Sequence, residues 1–237
     1  MAKKLQLGSR TGLLLELTPD QQRKNSGLIW GEGRLLVGEH PVIAGEAGGG
    51  VSWTWVDLLE WFGKQWSWLL LEQDFPFQVP ALDITTLMRD LEKRWENMPE
   101  ARAEDEEEEA YRFLGRHDLA SAFKGIFFPS VYLMRQGDVM EITSVEHAST
   151  WHLPFHRMVE DLEQIGHGLA ELAVGEPGGR GSSAASQWQA RLDNLKAKAL
   201  PILTGLPEES LARINPGNDP DYWEYSVESP LADGELM

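Results

Sequence analysis

The chain has 237 residues, no cysteine, and 38 acidic against 21 basic residues, which gives a formal charge of −17. This length allows one large domain or two small ones with a substantial hydrophobic core. The missing cysteines exclude disulfide frameworks, thiolate zinc sites and thiol nucleophiles, and the negative charge disfavours direct binding of the isolated chain to nucleic acid or to an anionic membrane.

The first fifty residues contain short apolar runs that Gly, Pro, Asn and Ser separate. This pattern is typical of strands joined by turns, and it predicts a small antiparallel sheet. The candidate strands are residues 5–7, 13–17, 28–30 and 34–37. The break Gly48-Gly49-Gly50 follows, and we predict that a helix begins at Trp53.

A tryptophan-rich segment covers residues 53–71. Five of the ten tryptophans lie between Trp53 and Trp68. Each ring can bury roughly 150–250 Å2, so the pattern predicts a mostly buried helix at the centre of the core. The alternative interpretation is a groove in which these rings bind an aromatic or peptide ligand. A polar stripe completes the pattern with Asp57, Glu60, Lys64 and Gln65.

A second, amphipathic helix is predicted from a cap at Asp83 to about Trp95.

Six consecutive carboxylates follow at residues 104–109. Their mutual repulsion predicts a solvated loop or a frayed helix start, which makes residues 100–110 an acidic connector between a unit at 1–99 and one at 111–174. An alternative is that these carboxylates imitate nucleic acid and enter a basic cleft of a partner, which requires an ordered acidic surface.

The segment 111–174 is predicted as a helix–hairpin–helix unit. Helical character runs from Tyr111 towards Gly125, ahead of Phe127-Phe128-Pro129. Two β-prone runs within residues 131–145 flank Gly137, which can adopt the positive φ of a tight turn. Apolar residues at helical spacing then predict a helix from Pro154 to about Val174, packed on the hairpin.

The C-terminal part is predicted as a flexible linker at 175–186, a helix over 187–200, and an acidic tail that continues to residue 237. The tail carries an aromatic group that we expect to dock on a partner protein. The alternative is that it folds back onto the N-terminal sheet. The predicted docking residues are Asp219, Asp221, Tyr222, Trp223, Glu224 and Tyr225. The whole pattern predicts an α+β fold with a flexible acidic C-terminal tail.

Histidines supply the candidates for a metal site. His152 and His156 are four residues apart, and Glu163 and His167 repeat this spacing, which on a helix would place two ligands on one face. Pro154 makes helical geometry at His152 doubtful, so we interpret these residues as surface or boundary side chains and predict no metal and no cofactor.

No apolar run approaches the roughly 20 residues of a membrane span, and we expect a cytoplasmic protein.

The segment Arg116-His117-Asp118 has two interpretations. Asp118 could orient the imidazole for base catalysis, or it could cap the start of a helix. The sequence offers no serine in a strained glycine elbow and no Gly-rich nucleotide loop. We therefore favour capping and a protein without catalytic activity, with an enzyme of unrecognised type as an alternative.

Two segments resemble a known family. Residues 51–72, with Trp53-Thr-Trp-Val-Asp-Leu-Leu-Glu-Trp at their start, and residues 116–138, with the pattern H-x-L-x-x-A-x-x-G-x-x-x-P, are similar to N-terminal regions that accompany ImmA/IrrE-type metallopeptidase domains in bacterial mobile elements and defence islands. The peptidase motif H-E-x-x-H is absent, so the zinc chemistry of the family is not carried over. The resemblance implies a protein-binding accessory subunit or regulator of a multigene antiphage or mobile-element system.

Overall fold

The computed structural model describes residues 4–20, 28–72, 84–123, 125–145, 149–173 and 179–203. These residues form an α+β fold in which two antiparallel sheets pack with helices around a tryptophan-rich core. No helix within these ranges is long and apolar enough to cross a membrane. The predicted domain boundaries stay predictions.

The predicted N-terminal sheet is confirmed and has five strands. Strands β1, β2 and β3 are hydrogen-bonded in chain order, and β4 and β5 lie end to end along the free edge of β3. Leu13, Leu15 and Leu17 are fully buried because alternate residues of β2 face the core. The strands are β1 (Leu5–Gly8), β2 (Leu13–Pro19), β3 (Trp30–Val37), β4 (His40–Ile43) and β5 (Val51–Thr54).

The predicted tryptophan-rich helix is confirmed as α1 (Val56–Leu71), but its predicted start at Trp53 is wrong. Trp53 lies on β5 opposite Gly31 of β3, so the chain completes a ladder before it turns into the helix. Trp55 closes this junction, because its Nε1 donates to the carbonyl oxygen of Gly31 at 3.2 Å. The ring fits because Gly33 has no side chain: a Cβ there would lie 2.6 Å from Trp55.

Helices α2 (Ile84–Trp95) and α3 (Glu100–His117) enclose a second, smaller core. The prediction of α2 is confirmed, whereas its cap Asp83 lies outside the described residues. Of the two alternatives predicted for residues 104–109, the solvated loop is wrong, because the whole acidic run is helical and lies in the first half of α3. Glu106 is buried and accepts hydrogen bonds from Arg94 at 2.7 and 3.0 Å and from Arg102 at 3.3 Å. These arginines, Arg94 first, lower the pKa of Glu106 and offset part of the repulsion within the run.

The predicted hairpin is confirmed as β6 (Val131–Gln136) and β7 (Val139–Ser144), with Gly137 at positive φ in the turn. A third strand, β8 (Ser149–Pro154), was not predicted and pairs antiparallel with β7. One face of this sheet contributes to the main core. On the opposite face, Tyr132 and Met134 pack against the core of α2 and α3.

Two helices complete the described fold. The helix predicted from Pro154 is confirmed as α4 (Phe155–Leu172). The last helix, α5 (Arg180–Leu203), begins seven residues before its predicted start, so the flexible linker predicted over 175–186 is wrong for its part beyond 179. Ala184, Trp188 and Leu192 lie four residues apart and are all buried. Their packing explains why a Gly-, Ser- and Ala-rich segment is helical.

Candidate functional site

The predicted docking residues of the C-terminal tail lie outside the described part of the chain. The structure therefore gives no position for Asp219, Asp221, Tyr222, Trp223, Glu224 and Tyr225. Their role in partner binding stays a prediction.

The four metal candidates are divided between a strand and a helix. His152 lies on β8, whereas His156, Glu163 and His167 lie on α4. The doubt about helical geometry at His152 is confirmed, because α4 begins at Phe155, directly after Pro154, so His152 and His156 do not share a helix face. Within the described ranges, no three His, Asp or Glu side chains are grouped so that they could hold a metal ion.

His117 is sealed inside the protein at the end of α3. Its side chain is 1% exposed, and its Nδ1 donates to the carbonyl oxygen of Phe113 at 3.0 Å. The rings of His117 and Phe113 pack at a tilt of 34°, with centroids 4.3 Å apart. Burial, and secondarily the charge of Arg116, lower the pKa of His117 to about 3. The imidazole is therefore neutral at physiological pH and out of reach of a substrate.

Asp118 has the capping role that the sequence suggested. It accepts a hydrogen bond from the backbone N–H of Ala120 at the start of a 3-10 turn at 119–122, which confirms the cap. The same carboxylate accepts from Ser130 Oγ at 2.8 Å and from the backbone N–H of Val131 at 2.9 Å. Burial raises the pKa of Asp118, and these three hydrogen bonds oppose that shift. The carboxylate thus ties the end of α3 to the start of β6.

Arg116 connects the ends of α1 and α3. Its guanidinium donates to both carboxylate oxygens of Glu72, at 2.7 and 3.2 Å, and lies 4.1 Å from the centre of the Trp68 ring. Burial raises the pKa of Glu72, and Arg116 counteracts this effect. A bidentate pair of this kind, stacked on an aromatic ring, fixes a geometry more than it offers chemistry.

Trp55, directly before α1, and the tryptophans of α1 fill the core and do not line an open groove. Trp55, Trp61, Trp66 and Trp68 are all buried, so the ligand-groove interpretation does not fit these four rings. Trp66 meets Trp188 of α5 edge to face, with centroids 5.1 Å apart. Gly166 of α4 leaves the space for Trp188, because a Cβ at that position would lie 2.3 Å from the ring.

The most exposed of the large apolar side chains in the described structure is that of Phe127, at 92%. It lies in the segment 125–130, which we call the Phe127 loop. The next residue, Phe128, anchors this loop, because it packs edge to face on Phe123 at 5.1 Å. The hydrogen bonds from Ser130 and Val131 to Asp118 hold the other end. Phe127 is therefore presented to solvent by a loop that is anchored directly after it, at Phe128, Ser130 and Val131.

Other apolar residues lie near the two ends of this loop. Gly125 lies against the ring of Trp53, which is half-buried and meets Trp30 edge to face at 6.2 Å. Val145, 47% exposed, donates its backbone N–H to the carbonyl oxygen of Ser130. We call Trp30, Trp53, Phe127 and Val145 the aromatic end of the molecule. Aromatic anchors that project from rigid supports are typical of protein-binding hot spots.

The sequence contained a partial signal for this surface. The pair Phe127-Phe128 precedes a proline and a strand, and only one of two neighbouring residues in an extended segment can face the core. The sequence does not reveal which of the two is buried. The packing of Phe128 on Phe123 decides it.

Comparison with known proteins gives no further guide to this site. No protein-family model, curated protein or solved structure matches the chain significantly. The resemblance to regions that accompany ImmA/IrrE-type metallopeptidases therefore stays a prediction.

Proposed function

We propose that this chain is a non-catalytic protein-binding subunit or regulator that contacts its partner through the aromatic end. The observation that carries this proposal is the ring of Phe127, 92% exposed on a loop that Phe128 and Asp118 hold in place. Burial of a phenylalanine side chain stabilises a complex or a core by about 1.5–3 kcal/mol. A partner with an apolar pocket would gain this contribution without having to order a flexible loop first.

The state of His117 and Asp118 supports a role without catalysis. These two residues form the sequence pattern closest to an acid–base pair, yet the imidazole is buried and the carboxylate accepts three hydrogen bonds that stabilise the fold. Both groups are thus explained by structural roles.

The biological setting of the proposal rests on the sequence resemblance. We propose a cytoplasmic subunit of a bacterial antiphage or mobile-element system. The C-terminal tail, with Tyr222, Trp223 and Tyr225 among acidic residues, is proposed as a second docking element. Its carboxylates would accelerate approach to a basic partner, and this contribution would weaken as salt rises.

Co-purification from the native host tests the proposal. Wild-type protein and Phe127→Ala would be tagged and expressed from the native locus, and captured proteins quantified by mass spectrometry. Tyr111→Ala is the matched control, because Tyr111 is a 53% exposed aromatic residue on α3. We expect a stoichiometric partner with wild type and the control, and at least a tenfold loss with Phe127→Ala.

Retention of the partner by Phe127→Ala would show that the aromatic end is not the binding surface. Deletion of residues 215–237 tests the tail separately. An unchanged melting temperature with a weakened complex supports tail docking, whereas unfolding would show that the tail aromatics belong to the chain's own core. Failure to capture any stoichiometric partner with folded wild-type protein would contradict the proposed function.

A second candidate function is imitation of nucleic acid, and the helical state of the acidic run favours it. Such imitation needs ordered carboxylates, and α3 presents Glu104, Asp105, Glu108 and Glu109 as exposed side chains on a continuous helix. Neutralisation of these four residues to Gln and Asn would weaken capture of a nucleic-acid enzyme in a salt-dependent way. The same change would leave capture through Phe127 intact, so the two functions are distinguishable.

A further inference from the structure

A polar cluster lies on the face of the second sheet that α2 and α3 partly cover. Glu141 is on the central strand β7, directly opposite Met134 of β6 and His152 of β8. Neighbours directly opposite each other in a sheet project to the same side, so the Glu141 and His152 side chains lie together. The carboxylate and the imidazole approach to 3.7 Å between Glu141 Oε2 and His152 Nε2.

Glu141 is an unusual carboxylate because its side chain is only 2% exposed. Its oxygens accept hydrogen bonds from two neutral groups, the Gln136 amide at 3.0 Å and the Thr143 hydroxyl at 3.0 Å. Within the described part of the chain, its ion-pair partner is His152, and no Lys or Arg reaches it. Buried carboxylates are generally paired with a cation or bound to a metal.

The spacing of the two groups suits a shared cation. At 3.7 Å the separation is too long for a hydrogen bond. Two ligands of one tetrahedral zinc ion, each about 2.1 Å from the metal, are roughly 3.4 Å apart. A shift of a few tenths of an ångström, well within the freedom of the 60% exposed His152 side chain, would close this difference.

We propose that Glu141 and His152 form a binding site for a divalent transition-metal ion of the zinc type. Glu141 Oε2 and His152 Nε2 are the two primary ligands. Rotation of the exposed Gln136 amide, whose nitrogen now donates to Glu141 Oε2, brings its carbonyl oxygen to the ion as a third donor. Water completes the coordination from the solvent side of His152. Thr143 orients the carboxylate through its hydrogen bond to Oε1, as second-layer groups do in metal sites.

The donor set decides the class of ion. One imidazole nitrogen with carboxylate and amide oxygens favours zinc and its neighbours, whereas calcium and magnesium prefer six or more oxygen ligands. The site differs from the pairing of His152 with His156 that the sequence suggested, because the second protein ligand comes from the neighbouring strand. It is independent of the proposed function and does not include the aromatic end.

Calorimetric titration of the metal-free full chain with zinc chloride tests the proposal. We expect one binding event per chain in wild type and at least a tenfold weaker one in both His152→Ala and Glu141→Gln. The matched controls His156→Ala and His167→Ala remove histidines that lie on α4, and we expect unchanged affinity for them. His152→Ala changes an exposed side chain, so a circular dichroism spectrum equal to wild type establishes that the loss concerns metal binding.

Three results would overturn the proposal. The first is the absence of saturable zinc binding by folded wild-type protein below about 1 mM. The second is undiminished binding by either His152→Ala or Glu141→Gln. The third is loss of binding in His156→Ala while Glu141→Gln binds normally, which would assign the metal to the histidine pair.

Discussion

The tryptophan core and the Phe127 loop use aromatic side chains in opposite ways. Trp66 and Trp188 are at most 1% exposed and interlock between α1 and α5, whereas Phe127 is 92% exposed. Neither arrangement follows from hydrophobicity alone. The difference lies in the surrounding residues. Small residues leave the space that the tryptophan rings fill, whereas Phe127 lies on a loop that neighbouring residues hold in place. The first region stabilises the fold, and the proposed role of the second is to bind a partner.

Removal of an interlocking ring is expected to have the largest effect. Trp66→Ala or Trp61→Ala should lower the free energy of unfolding by roughly 3–5 kcal/mol, because each leaves a cavity and forfeits the packing of a buried ring. Urea unfolding, monitored by circular dichroism, measures this loss in the free energy of unfolding. A variant that keeps its stability but loses a partner would mean that α1 is itself a recognition surface.

The buried imidazole of His117 gives the stability of the fold a pH dependence. The pKa of His117 is about 3 in the folded state against 6.5 as its ordinary value, so between these values the unfolded chain binds a proton that the folded protein does not. Stability should therefore fall as pH falls from 6.5 towards 3, by at most about 1.4 kcal/mol per pH unit. His117→Gln should flatten this slope.

The unfolding of wild type and of His117→Gln, followed between pH 7 and pH 5, would measure how the slopes of their stability against pH differ. Glu72 contributes with the opposite sign, because burial raises its pKa. Its Oε2 lies 3.7 Å from His117 Nε2, so the difference in slope reports on the His117–Glu72 pair. Identical slopes would show that His117 does not stay neutral inside the protein.

A methyl group added next to the Trp188 ring is expected to destabilise the protein. Gly166→Ala would place its Cβ 2.3 Å from the Trp188 ring, and we expect a loss of about 1–3 kcal/mol from overpacking. Gly115→Ala on α3 is the control, because no atom lies within 4 Å of the added group. It should stabilise the protein by about 0.5–1 kcal/mol through helix propensity. Equal effects on the melting temperature would contradict the close fit of α4 and α5.

Phe127→Ala is expected to have the smallest effect on folding. An exposed side chain contributes little to the core, so the free energy of unfolding should change by less than about 0.5 kcal/mol. Thermal and urea unfolding of Phe127→Ala and Trp66→Ala, measured side by side, compare the two losses of stability directly. A loss of 2 kcal/mol or more would place Phe127 in the stability core.

The parts of the fold that the sequence predicted are those with strong local patterns. Gly137 between two β-prone runs indicated the hairpin, and the helical spacing after Pro154 indicated α4. Strand β8 was missed because Ser149, Thr150 and His152 make half of it polar. Its pairing with β7 supplies the stabilisation that its composition does not indicate.

The errors at the acidic run and at α5 have a common cause, because both segments depend on distant partners. Glu106 is accommodated by Arg94 of α2, and Arg180 at the start of α5 pairs with Asp57 and Glu60 of α1. Neither contact is visible in the local sequence. The same holds for the aromatic end, since the exposure of Phe127 is set by the packing of Phe128. The Glu141–His152 pair likewise required the register of β7 and β8.

The affinity of the purified partner for wild type and for Phe127→Ala tests the central claim most directly. Isothermal titration of both proteins, at equal salt and with equal melting temperatures, gives the two dissociation constants. A hot-spot role predicts a loss of about 2–4 kcal/mol, which corresponds to a dissociation constant roughly 30- to 1000-fold higher for the variant. Equal dissociation constants for the two proteins would contradict the assignment of the Phe127 loop as the partner-binding surface.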